Sequence, residues 1–110
     1  MNKGVKNDEN KTRYELIPPE FIEELANIFT CGASVYGPNT WQNVSKERLE
    51  GAVFRHLQAW RKGHRFNIEN GVVLEHLAQA AWGCLAIMWK DMQGSNYDRI
   101  VDKVRAVKDE

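Results

Sequence analysis

Apolar residues recur at helical spacing in three stretches of this chain and again, more briefly, near its end. In the first stretch, Phe21, Leu25, Ile28 and Phe29 follow the helical period. Pro18 and Pro19 open it, where a missing backbone N–H has no partner to lose. Glu20, Glu23 and Glu24 crowd the early turns, which the helix dipole favours for negative charge, and Gly32 is the expected stop. Gly37-Pro38-Asn39-Thr40 reads as a turn, with Trp41 expected to pin it to the core. Ser45 is a suitable cap for a second helix running to about Lys62, with Leu49, Val53, Leu57 and Trp60 as its apolar stripe and Gly63 as its end.

The third helix is expected from about Val72 to about Met92, after a polar connection over His64 to Gly71. From Ala80 to Trp89 it is apolar nearly all round, which predicts burial on most sides and, in so small a protein, a second subunit to complete it. Gly94-Ser95-Asn96 breaks the chain, and Ile100, Val101, Val104 and Val107 mark a short fourth helix from about Tyr97. Residues 1–12 carry almost nothing apolar and read as a flexible tail before a single helical domain over 13–110. With no convincing strand, the expected fold class is all-α: a compact bundle of three core helices plus a short C-terminal helix, completed by oligomerisation.

Composition narrows the function classes. Apolar residues make up 43% of the chain and four are tryptophan, so a packed domain is expected. Fifteen Lys and Arg balance fifteen Asp and Glu. That lacks the basic footprint of a nucleic-acid binder, and points to small molecules or further copies of the chain as partners. The apolar run Leu77 to Trp89 is shorter than the roughly 20 residues a membrane span needs. Cys31 and Cys84 have neither disulfide-framework nor metal spacing and read as buried thiols in a reducing cytoplasm.

Several polar residues stand out. Arg48, Arg55 and Lys62 are spaced by seven and, with Arg61, His64 and Arg65, form a cationic patch suited to phosphate, or else a solvated face. His56 interrupts the apolar stripe between Val53 and Trp60, so it needs a hydrogen-bond partner or a cavity. His76 and Gln79 are a turn apart on a face shared with Gly83, whose missing side chain permits close approach; Glu75 is expected to face solvent. His76 suits a phosphate or a metal, or a structural hydrogen bond. Glu20, Glu23 and Glu24 can share a hard cation, or be ordinary first-turn residues.

The order of four blocks resembles a phage and prophage family, the N-terminal domain of dATP/dGTP diphosphohydrolases. The blocks are Lys11 to Glu20, Gly32 to Trp41, Arg55-His56-Leu57 with Trp60, and Gly71 with His76-Leu77-Ala78 and Ala80-Ala81. The resemblance implies an all-helical fold akin to the MazG-like nucleotide pyrophosphohydrolases. These are dimers or tetramers that hold magnesium on two acidic helices and cut the α–β phosphate bond with water. It implies Glu20, Glu23 and Glu24 as holders of Mg2+ or Mn2+, Glu24 and His76 as catalytic, and Tyr36, Asn39, Trp41, Arg55, His56, Trp60 and Gln79 as ligand-binding. Where the family's second acidic cluster would fall, this chain has Glu75-His76-Leu77-Ala78-Gln79. The expected activity is (d)NTP diphosphohydrolysis in a host cytoplasm. The alternatives are a non-catalytic protein that sequesters a signalling nucleotide, and a structural assembly protein.

Overall fold

The computed structural model describes residues 9–108. Its elements are α1 (Pro19–Tyr36), α2 (Lys46–Arg61), strands β1 (Phe66–Glu69) and β2 (Val72–Glu75), α3 (His76–Met92) and α4 (Tyr97–Lys108), with single 3-10 turns at Tyr14–Leu16 and Thr40–Asn43. The protein is mostly helical, as expected, but carries a small antiparallel hairpin that the helical reading missed. Of the expected tail, residues 1–8 lie outside the described residues and 9–12 are exposed.

Local chemistry explains most boundaries. Pro19 is the first residue of α1. The Ser45 side chain accepts a hydrogen bond from the Arg48 N–H at 3.2 Å, capping α2 as read from sequence. At the other end of α2, Gly63 and His64 donate to the Trp60 and Ala59 carbonyls at 2.9 and 3.0 Å, which satisfies the last turn.

Two boundaries differ from expectation. α1 passes through Gly32 and ends at Gly37, whose φ of 92° is followed by Pro38. A helical glycine costs only about 1 kcal/mol, so Gly32 alone does not stop a helix, whereas a positive φ followed by proline does. α3 begins at His76 rather than Val72, because Val72–Glu75 pairs with Phe66–Glu69. Asn70 and Gly71 both have positive φ, 54° and 79°, and make the two-residue turn that such hairpins favour.

α2 and α3 run antiparallel: Lys46 meets Asp91 at 2.8 Å near one end, and His56 meets His76 near the other. Between them, a Cβ on Gly83 would lie 2.5 Å from Val53 Cγ2, so only glycine allows this approach. α1 and the hairpin pack against this pair, while α4 stands largely apart.

The core is small. Among the described residues its buried apolar side chains are Cys31, Leu49, Val53, Leu74, Ala80 and Ala86. Leu57 and Trp60 are exposed, so only the first half of the α2 stripe is covered. Within the single chain, α3 buries Ala80, Gly83 and Ala86 but leaves Leu77, Leu85 and Met88 open. Cys84 is exposed, correcting the expectation of two buried thiols. No helix among the described residues is long and apolar enough to cross a membrane.

Candidate functional site

A concavity of about 830 Å³ opens beside the second half of α1. Its walls are the 28–41 region, Val44, Arg48 and Leu49 from the start of α2, Glu69 from β1 and Trp82 from α3. The loop between α1 and α2 is built by local hydrogen bonds. Asn39 sits in the left-handed region at φ 66°, which asparagine tolerates better than most residues, and the Thr40 hydroxyl donates to the Gly37 carbonyl at 2.9 Å. Lys90 of α3 donates to the Gln42 carbonyl at 2.7 Å and ties the loop down.

An aromatic cluster forms beneath this loop. Trp41 packs edge-on against Phe29 at 6.0 Å, Trp82 at 5.8 Å and Trp89 at 5.1 Å, and Phe29 also meets Trp82 at 5.8 Å. Trp41 therefore does pin the loop. The indole nitrogens of Trp41 and Trp82 are buried without hydrogen-bond partners. Ligand cavities of this size are mostly apolar with a few polar groups that fix orientation. Here the charged groups on the wall are Arg48 and Glu69.

A second polar cluster lies at the junction of α2, the hairpin and α3. The His56 and His76 rings face each other with Nδ1 atoms 2.9 Å apart, so one ring donates and the other accepts. Burial pushes the His56 pKa below its ordinary value; the nearby His76 and, more weakly, Arg55 push the same way, while Glu69 opposes them. Gln79 is buried and donates to the Asn67 side chain and to the Glu75 carbonyl. Both groups thus find partners within the fold. Glu75 is not simply solvent-facing: it is half-buried and holds Arg65 through two hydrogen bonds of 2.9 and 3.4 Å.

The residues read from sequence therefore separate. Tyr36, Asn39 and Trp41 line the cavity. His56, His76 and Gln79 form the junction, while Arg55 and Trp60 are exposed on α2 away from the cavity wall. Two members of the basic patch part ways: Arg48 lines the cavity, and Arg65 is held by Glu75 and lies over the Phe66 ring at 4.9 Å. Glu20 and Glu23 are exposed; Glu24 is half-buried, with one carboxylate oxygen buried and unpartnered. Glu24 stands one turn before Ile28, a cavity residue.

No group of three His, Cys, Asp or Glu among the described residues is placed to hold a metal ion. Sequence reasoning read Phe29 and Trp82 as apolar helix positions and passed over Glu69. The alternation from Phe66 to Glu69 before Asn70-Gly71 was the available signal for Glu69.

Comparison with known proteins agrees with the pattern of blocks. The family described as dATP/dGTP diphosphohydrolase, N-terminal, matches residues 1–100. A protein of Salmonella phage PMBT28, named dATP/dGTP diphosphohydrolase, is 40% identical over 86 residues, covering 78% of this chain and 29% of that relative. The chain therefore spans less than a third of that relative's length. No solved structure matches it. The chain belongs to the dATP/dGTP diphosphohydrolase N-terminal family.

Proposed function

We propose that the cavity beside α1 binds a purine deoxynucleoside triphosphate and that the chain serves a MazG-like diphosphohydrolase that releases pyrophosphate. The observation that carries this reading is the aromatic-walled cavity, where Tyr36, Asn39 and Trp41 meet one cation, Arg48. The aromatic residues provide faces for a base, and the guanidinium provides a planar donor fork for phosphate. The name of the Salmonella phage relative supports the choice of purine deoxynucleotides.

In this reading Tyr36 and Trp41 contact the base, Asn39 orients the sugar or phosphate, and Arg48 neutralises phosphate charge. Glu24, with one buried carboxylate oxygen, is this chain's ligand for Mg2+ or Mn2+, a cation commonly bound through one or two carboxylates together with phosphates and water. That ion would stabilise charge on the phosphates. The other acidic ligands come from a second copy or from other parts of the protein. The open apolar residues Leu77, Leu85 and Met88 of α3 support self-association, and the setting is the cytoplasm of a phage host.

One observation favours a second reading: the lack of a three-ligand metal group among the described residues suits a nucleotide binder that does not hydrolyse its ligand. The test is to incubate the purified chain with dNTPs, NTPs and cyclic nucleotides, with Mg2+, with Mn2+ or with chelator, and to separate the products. Monophosphate and pyrophosphate that disappear with chelator and in Glu24→Gln support hydrolysis. Intact nucleotide depleted by the protein supports binding alone. Neither turnover nor depletion rejects both readings and favours a structural role.

A further inference from the structure

Resting on the nucleotide reading above, we propose that Glu69 is the residue that reads the base, accepting hydrogen bonds from a nucleobase edge with two adjacent N–H donors, which among purines means guanine.

The hairpin register sets the direction of Glu69. Asn67 stands opposite Leu74, and Glu69 opposite Val72. Leu74 is the largest fully buried side chain, and Asn67 turns inward to bond Gln79. In a strand, residues two apart share a face, so Glu69 lies on this inward face at the end next to the turn. There its carbonyl accepts from the Cys31 Sγ at 3.9 Å, which fastens the end of β1 against α1. Glu69 nevertheless remains exposed, and it lines the cavity.

The charge pattern then selects the ligand. Arg48 and Glu69 are the cavity's charged lining residues, and among the described residues neither takes part in an ion pair or a side-chain hydrogen bond. A ligand that satisfies both must carry an anionic group and, apart from it, a donor edge. Nucleotides are such ligands. An ionised carboxylate only accepts hydrogen bonds. Guanine offers it N1–H and the exocyclic N2–H side by side. Adenine presents a bare ring nitrogen on the corresponding edge, which repels a carboxylate. One good bidentate pair discriminates between bases by roughly ten- to a hundredfold.

The experiment is calorimetric titration of the full chain with dGTP, dITP and dATP in chelator, so that no ligand is hydrolysed. dITP keeps N1–H and lacks the exocyclic amine. The expected order of affinity is dGTP, then dITP, then dATP, with roughly ten- to a hundredfold between the extremes. Glu69→Gln is expected to bring dGTP within a few fold of dATP while dATP affinity hardly changes, with an unaltered circular dichroism spectrum. Equal affinities in the unsubstituted chain, or a guanine preference that survives Glu69→Gln, would overturn the role of Glu69 and leave the cavity as a nucleotide site. No binding of any of the three would overturn the nucleotide reading, and this inference with it. If Glu69→Gln alters the spectrum, Glu69→Asp decides: a weakened guanine preference supports the assignment, and an unchanged one refutes it.

Discussion

The start of α3 and the stretch beyond it are anchored to their neighbours by opposite chemistry. Near the start of α3, polar groups meet polar groups: His56 with His76, and Gln79 with Asn67 and the Glu75 carbonyl. Farther along, Trp82 and Trp89 pack on Trp41, and Lys90 anchors the loop from which Trp41 projects. At the polar end the side chains bond one another and the backbone. The aromatic end adjoins a large cavity in which Arg48 and Glu69 remain unpaired among the described residues. A histidine or glutamine in an apolar stripe therefore finds a partner within the fold here, while Arg48 and Glu69 face a cavity walled by aromatic residues.

The comparison can be broken most severely at Trp41. Trp41→Ala removes the ring shared by Phe29, Trp82 and Trp89 and is expected to cost about 3 kcal/mol, read by urea unfolding. It is also expected to abolish nucleotide depletion. Loss of stability with nucleotide binding intact would show that the aromatic end is core alone.

Gly83→Val is next. It forces a side chain into the space of Val53 and is expected to cost about 2 kcal/mol, less in a Val53→Ala background. Equal costs in the two backgrounds would place the strain elsewhere.

Asn67→Ala leaves the buried Gln79 amide with the Glu75 carbonyl as its remaining partner. We expect a loss of about 1–2 kcal/mol with nucleotide affinity unchanged. A weakened affinity would mean that the polar end also takes part in binding.

The gentlest probe is pH. His56 titrates in the folded protein below its ordinary value, near 6.5 in an unfolded chain, chiefly through burial. Between those two values the unfolded chain binds more protons, so the contribution of His56 is fully present above about pH 6.5 and is lost as pH falls toward the folded value. The melting temperature is expected to drop between pH 7.5 and 5.5, and to drop less in His56→Gln. An identical pH dependence in the variant would remove His56 as the cause.

What could be read in the chain and what could not follows the range of the forces involved. The Pro19 start of α1, the Ser45 cap, the bounds of α2, the break at Gly94-Ser95-Asn96 and α4 rest on groups within a few residues of one another, and these stood in the sequence. The blocks that identified the family stood there too, because they are themselves sequence. The hairpin was legible in principle from Asn70-Gly71, but two four-residue strands carry too little periodicity to outweigh a long helical pattern beside them. Two things only the tertiary structure decided. It directed His56 and His76 at each other, residues twenty positions apart whose partnership depends on how two helices cross. It also brought Glu69 to the cavity of Tyr36, Trp41 and Arg48. Local rules set where helices begin and end, whereas the site forms from side chains that meet only once α1, α2, α3 and the hairpin have packed.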